Sequence, residues 1–214
     1  MSDFSEKQDI CKIARRIATK GYVAGTDGNL SILTDNNRIL ITASGSSMET
    51  LSDNQLVEVD FQGNKIAGDQ SPSSEILMHL FIYQNRPEIK ACCHAHPPFS
   101  TAFAVAGRAL PANILPEVLI FIGKIALAPY APPGTDAVPN SLREFVADHN
   151  AFLLRNHGLL TIGKNLEEAF FRMETVEHLA KIIYIAEHLG ELNFLDEKEV
   201  KRLDSIRMKL QGNH

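Results

Sequence analysis

The chain has 214 residues, 44% hydrophobic and 22% charged, with 13 Gly, 10 Pro and 3 Cys. That length suits one well-buried domain over 1–214, needing neither disulfide nor metal merely to fold. Lys plus Arg is 21 and Asp plus Glu 26, a net charge of −5 with no basic run beyond Arg15-Arg16 or Lys201-Arg202, which argues against a nucleic-acid partner, while composition excludes collagen, coiled coil and disorder.

Met1-Ser2-Asp3-Phe4-Ser5-Glu6 has neither a basic start nor an apolar run, so no signal peptide is expected. Ile10, Ile13, Ala14, Ile17 and Ala18 fall on one helical face, with Gly21 as a C-cap. Asn29–Leu33 and Arg38–Ile41 alternate around Asp35-Asn36-Asn37 and predict a hairpin. Leu56–Asp60 predicts a strand turning at Gln62-Gly63-Asn64. Ser71-Pro72-Ser73-Ser74-Glu75 reads as a helix start with capping Ser, first-turn Pro and early acid, the helix running to about Tyr83.

Ile89–His94 predicts a short strand and Phe99–Ala106 a short helix. Ile114–Ala128 is the most apolar stretch, but Pro116, Glu117, Gly123 and Lys124 interrupt it, and it falls short of the ~20 residues a membrane span needs. Pro129–Pro133 predicts an ordered loop, Leu142–Ala147 a helix, and Phe152-Leu153-Leu154 a strand that resumes after a polar kink at His157-Gly158. Leu166, Ala169, Phe170, Met173, Val176, Ala180, Ile183 and Tyr184 form a long helical stripe ending near Gly190, and a polar helix covers roughly 196–210. Hairpins mixed with helices predict α/β layers around a mostly antiparallel sheet. Three Cys, two of them adjacent at Cys92-Cys93, fit a reduced, cytoplasmic protein with no membrane partner.

Eight His in so ordinary a composition stand out. In an extended segment, His94 and His96 point to one face, and two imidazoles there suit a metal ion better than an apolar core, where they need partners. A catalytic zinc takes three protein ligands and leaves a position open. His157 is the best third ligand, because Gly158 beside it allows close backbone approach. Cys92 shares the face of His94 and is a conceivable thiolate ligand, although a small core residue is the simpler role for Cys92 and Cys93. His79 reads as a satisfied helix residue, His149 as a partner for helix C-terminal carbonyls, and His178, His188 and His214 as surface groups. Glu75 alone is a capping acid; near a metal it is a ligand, a general base, or each in turn.

Three small-polar clusters complete the picture: Gly25-Thr26-Asp27-Gly28-Asn29, Ser44-Gly45-Ser46-Ser47 and Ser73-Ser74. Each alone is an ordinary turn or cap. Jointly, with free N–H groups at a helix start, they suit a phosphate monoester. Neither a Walker loop nor a dinucleotide glycine pattern occurs.

Gly25-Thr26-Asp27-Gly28-Asn29-Leu30-Ser31, Pro72-Ser73-Ser74-Glu75, His94-Ala95-His96 and Asn156-His157-Gly158, in this order, resemble the class II aldolase/adducin family, especially L-fuculose-phosphate aldolase-like enzymes, from about Ile13 to Gly190. The resemblance implies a single three-layer α/β/α domain with a central, mainly antiparallel sheet. It also implies a C4 homotetramer with active sites at subunit interfaces. Zn2+ would be held by His94, His96 and His157, with Glu75 as resting-state ligand and catalytic acid/base. Gly28, Asn29, Ser44, Gly45, Ser73 and Ser74 would hold the substrate phosphate. The implied reaction is reversible cleavage of a ketose 1-phosphate to dihydroxyacetone phosphate and an aldehyde, through a zinc-stabilised enediolate.

The sequence departs from that pattern at the aldehyde end. The fuculose enzymes use a tyrosine proton donor where Leu115 stands, and a second tyrosine near a C-terminus that here has none after Gly190. Glu117, two residues on, is the candidate replacement donor, and otherwise an interface acid. A methylthioribulose-1-phosphate dehydratase-like lyase uses a glutamate for proton transfer, so Glu117 keeps that alternative open. An L-ribulose-5-phosphate 4-epimerase-like enzyme would carry Asp at the position of Glu75, and a non-catalytic adducin-like module would lack the histidines. Imidazole and carboxylate ligands also suit other divalent metals.

Overall fold

A computed structural model describes residues 3–212. In α1 (Asp3–Thr19), Ile10, Ile13, Ala14 and Ile17 are buried along one face. The Gly21 and Tyr22 amides donate back to Ala18 and Ile17, closing the helix and turning the chain towards Asn29. β1 (Asn29–Leu33) and β2 (Ile39–Thr42) form the expected hairpin, with Ser31 opposite Ile41. β3 (Leu56–Val59) follows, and the Gln62-Gly63-Asn64 turn leads into a short exposed edge strand, β4 (Lys65–Ala67).

The next helix begins later than its sequence suggests. α2 spans Ile76–Asn85, with Glu75 at its N-cap position but making no side-chain cap. Pro72 lies upstream, bridged to Ala43, while Ser73 N–H donates to Thr42 and Ser44 N–H to Ser71. Those backbone groups are committed to the end of β2, so helical pairing starts only beyond them.

β5 (Ala91–Ala95) and α3 (Pro98–Val105) match expectation. The apolar stretch from Ile114 divides into α4 (Pro116–Phe121) and β6 (Lys124–Ala128), because Pro116 suits a first helical turn and Gly123 breaks the helix. α5 is Ala137–Leu142 rather than 142–147. Pro139 falls in its first turn, where a missing N–H costs no helical bond, and residues 143–148 form turns.

The polar kink at His157 is a chain reversal. β7 (His149–Leu154) and β8 (Gly158–Gly163) are antiparallel neighbours, Leu154 opposite Gly158. α6 (Leu166–Leu189) carries the long apolar stripe, except that Tyr184 is half exposed against Phe99 and His188. α7 (Glu197–Gly212) is the polar last helix. Among the described residues no helix is long and apolar enough to cross a membrane.

Among the described residues, eight strands form one sheet, ordered β4-β3-β2-β1-β5-β8-β7-β6, with only the β6–β7 pair parallel. Against one face pack α1, α3, α4 and α6, around Ile10, Leu30, Cys93 and Phe170. Against the other pack α2 and α5, around Ile41, Met78, Leu142 and Phe152. This is the expected three-layer α/β/α arrangement, and burial of each such large side chain contributes roughly 1.5–3 kcal/mol. β5 lies mid-sheet, where His94 faces Asn29 on β1 and Leu160 on β8.

Candidate metal centre

Three chain segments meet at one end of the central strands: the start of β1, the end of β5 and the β7–β8 turn. Each carries an imidazole or its supporting group. His94, His96 and His157 present ring nitrogens that all lie within 4.8 Å of one another. Their ring centroids form a near-equilateral triangle with sides of 5.1, 4.7 and 5.1 Å. His94 is fully buried, His157 nearly so and His96 a quarter exposed, and Glu75 reaches in from the N-terminus of α2: its Oε2 lies 3.2 Å from His94 Nε2 and its Oε1 3.3 Å from His157 Nε2.

Two glycines permit this convergence. A Cβ at Gly158 would lie 2.4 Å from His96 Cδ2 and 2.7 Å from the Ala95 carbonyl oxygen, so His96 rests directly on the turn. A Cβ at Gly28, where φ is +81°, would lie 2.7 Å from the His94 carbonyl oxygen. The loop before β1 can therefore lie against the end of β5.

Supporting groups orient the rings. His94 Nδ1 donates to the Leu159 carbonyl at 3.0 Å, which leaves Nε2 with its lone pair facing the centre. Asp27 Oδ2 lies 3.4 Å from His96 Nδ1 and places a carboxylate beside that ring. No local pattern assigns Asp27 this place, because its pairing with His96 spans two separate elements.

The donor set fits a divalent ion. His94 Nε2, His96 Nε2 and Glu75 Oε1 are buried without hydrogen-bond partners, an arrangement whose desolvation cost a bound cation would offset. The short Glu75–His94 approach lacks hydrogen-bond alignment, so proximity alone does not satisfy these atoms.

Electrostatics agree. Burial pushes the Glu75 carboxyl up, but His94, then His157 and the Asn29 amide, outweigh it and hold the group well below the usual carboxylate range. Burial pushes His94 down, yet Glu75 and the Leu159 carbonyl raise it overall. Burial and then the charge of His94 lower His157 to about 4, and the same two causes lower His96. The Glu75 carboxylate thus favours the charged form of His94, while burial and His94 disfavour that form on His96 and His157.

The small-polar clusters assemble beside this centre. The antiparallel Ala43–Pro72 bridge ties the segment after β2 to the one before Glu75, with Ser44 opposite Ser71 and Ser73 opposite Thr42; Glu75 N–H donates to Ser73 Oγ, and Leu30 N–H donates to Thr42 Oγ1. Gly28 and Asn29 start the adjoining strand, and Ser44, Gly45 and Ser74 are exposed. Asn29 is more committed than expected: Nδ2 donates to Glu75 Oε2 at 2.8 Å and Oδ1 accepts from His79.

Glu117 is not brought in. It is exposed in the first turn of α4 and makes no hydrogen bond or ion pair with any described residue. His79 is a satisfied buried residue, as expected, and His149 Nδ1 donates to the Phe145 carbonyl. His178 and His188 are exposed, Cys92 is a buried core residue, and His214 lies outside the described residues. A surface cavity of about 840 Å³ lies elsewhere, lined by Lys12, Ile32, Leu166, Phe171 and Arg172 among others, and shares no residue with the triad.

A mainly antiparallel three-layer domain with a three-histidine, one-glutamate cluster at the ends of its central strands, flanked by small polar loops, defines a candidate metal-dependent enzyme. Residues 8–184 match the Class II Aldolase and Adducin N-terminal domain, and the chain belongs to that family. It is 36% identical over 216 residues to the 3-oxo-tetronate 4-phosphate decarboxylase of Escherichia coli K12, covering 96% of this chain and 100% of that one. It is 38% identical over 180 residues to the L-fuculose phosphate aldolase of Methanococcus maripaludis C5, covering 84% and 96%. Among solved structures, Escherichia coli YgbL superposes with a TM-score of 0.87 at 34% identity, over 94% and 98% of the two chains.

Proposed function

We propose that this protein is a zinc-dependent lyase that breaks a carbon–carbon bond beside the carbonyl of a short sugar phosphate and yields dihydroxyacetone phosphate. The observation that carries this reading is the set of buried, unpartnered nitrogens on His94 and His96, with Glu75 reaching both His94 and His157. A divalent ion held by His94, His96 and His157 supplies a Lewis acid for the carbonyl and charge stabilisation for the electron-rich product. Gly28, Asn29, Ser44, Gly45, Ser73 and Ser74 grip the phosphate: Gly28, Gly45 and Ser74 through backbone N–H groups, and Asn29, Ser44 and Ser73 through their side chains, since the Ser44 and Ser73 N–H groups are bound to Ser71 and Thr42. Glu75 rests ionised, takes a proton from solvent water, and delivers it to the carbon left behind.

Loss of carbon dioxide from a 3-oxo-tetronate 4-phosphate suits this chain best. The bond from the carboxylate carbon to C2 breaks, and its electron pair forms the C2–C3 double bond of an enediolate. Carbon dioxide departs, and one proton arriving at C2 gives dihydroxyacetone phosphate. The leaving group needs no proton removed from a hydroxyl. Leu115, half-buried and apolar where the fuculose enzymes place a tyrosine, supports this choice, as does similarity to a decarboxylase across nearly the whole chain.

Aldol cleavage of a ketose 1-phosphate such as L-fuculose 1-phosphate forms the same enediolate and is the second reading, favoured by similarity to the Methanococcus maripaludis aldolase. It requires a group at the aldehyde end, and Glu117 serves there only from a neighbouring copy in a homotetramer. Zinc-loaded protein should release dihydroxyacetone phosphate and carbon dioxide from 3-oxo-tetronate 4-phosphate, and Glu117→Gln should leave that rate intact. Dihydroxyacetone phosphate plus aldehyde from L-fuculose 1-phosphate, abolished by Glu117→Gln, would establish the aldol reading instead. A dehydrated ketone, or no carbon–carbon cleavage of either substrate, sinks both.

A further inference from the structure

Behind Glu75 runs a line of buried polar side chains of which the proposed chemistry uses only the first, Asn29. Asn29 Nδ2 lies 2.8 Å from Glu75 Oε2, and Asn29 Oδ1 lies 2.5 Å from His79 Nε2. His79 Nδ1 is 2.7 Å from Ser31 Oγ, which is 2.6 Å from the Tyr83 hydroxyl. Asn29, Ser31, His79 and Tyr83 are at most 3% exposed. Two periodicities bring them together. Asn29 and Ser31 are i and i+2 on one face of β1, while Glu75, His79 and Tyr83 follow at four-residue spacing along α2.

The polarity of this line is forced from its catalytic end. An ionised carboxylate only accepts, so Asn29 presents its NH2 group to Glu75 and its carbonyl oxygen to His79. A carbonyl oxygen also only accepts, so His79 Nε2 carries the hydrogen. Burial holds His79 down to about 3, so the ring is neutral and Nδ1 offers a lone pair. Ser31 then donates to Nδ1, and the Tyr83 hydroxyl donates to Ser31. Every donor in the line points towards Glu75, and reversing one bond requires reversing them all.

We propose that His79 is a positioning residue that holds Asn29 in one of its two amide orientations, keeping an N–H rather than a carbonyl oxygen against Glu75. Glu75 Oε2 is thereby pinned, while Oε1 is left without a hydrogen bond and facing His157. With the amide reversed, two lone pairs would confront each other and the carboxylate would swing from its place. The kinetic consequence rests on the reading of Glu75 as proton carrier; the orientation of Asn29 does not.

The test separates those two claims. His79→Gln keeps an N–H near the position of Nε2, whereas His79→Asn is too short to reach Asn29 and retains only the contact to Ser31. In NMR spectra of the zinc-loaded protein, needing no substrate, wild-type His79 should be the Nε2–H tautomer. The Asn29 side-chain amide proton, displaced by its bond to Glu75, should stay displaced in His79→Gln and move in His79→Asn. With an active substrate, kcat should be nearly retained in His79→Gln and fall ~10- to 100-fold in His79→Asn, with KM and bound metal changed less than about twofold. An Nδ1–H tautomer in the wild type, or an unmoved Asn29 amide in His79→Asn, overturns the proposal whatever the substrate. So does equal kcat in the two variants, or a kcat loss that tracks metal content. A wild type inert on both substrates while the NMR results hold would instead count against the proton-carrier reading of Glu75.

Discussion

A methyl group at position 158 would occupy space already held by the His96 ring and the Ala95 carbonyl oxygen. Neither neighbour is the free end of a flexible chain, since the ring is itself a candidate ligand and the carbonyl belongs to β5. Gly158→Ala should therefore lower zinc affinity about tenfold or more with the far-ultraviolet spectrum unchanged; chelator competition measures it, and wild-type affinity would refute the contact. His79 makes a prediction of a different kind. Burial first, then the charge of His94, depress it from an ordinary 6.5 to about 3. As pH falls, the unfolded chain takes up this proton before the folded one does, so the stability contribution present above 6.5 is lost progressively towards 3. Between pH 7 and pH 5 that loss is about 2 kcal/mol. Urea titrations of metal-free wild type and His79→Gln should show the wild type losing this much more; equal losses would contradict it.

Elements depend on residues far along the chain. α3 opens directly after the His94-Ala95-His96 strand end, and its first amides receive no cap from their own segment. Glu177 on α6 supplies it instead, accepting from Phe99 N–H at 2.9 Å, Ser100 N–H at 2.8 Å and Ser100 Oγ at 2.8 Å. A buried carboxylate at a helix N-terminus completes both the hydrogen bonding and the dipole. Glu177→Ala strands these donors and should cost about 2–4 kcal/mol. Because α3 anchors the residues after His96, bound zinc should fall as well. A denaturation midpoint within error of wild type would remove Glu177 from this role. The same remote control explains where local reading placed boundaries wrongly. Pairing with β2 delays α2, and pairing of β7 with β8 turns an expected kink into a hairpin.

For the whole molecule, the prediction is linkage between metal and folding. A site assembled from β1, β5, α2 and the β7–β8 turn does not exist in the unfolded chain, so metal binds only the folded state. Zinc at a hundredfold its Kd should add about 2.7 kcal/mol, or about 5–10 °C in Tm for a chain of this length. Calorimetry with zinc and with chelator measures it, and His94→Ala should abolish the difference; an unchanged Tm would argue against the site. The proposed tetramer should appear by light scattering, and a monomer would leave Glu117 with no route to the centre. Local periodicity is enough to indicate most strands and helices, the layer class and the ligand types, because a two-residue spacing on a strand and an apolar stripe at three- and four-residue spacing on a helix are properties of the chain itself. His94 and His96 needed only their spacing, and Gly158 only its place beside a candidate ligand. Partnership across distance was decided by tertiary structure alone. That Asp27 meets His96, that Asn29 faces both Glu75 and His79, that Glu177 caps α3 and that Glu117 stands apart follow from sheet order and register, which bring residues dozens of positions apart within hydrogen-bond reach and which no local pattern encodes.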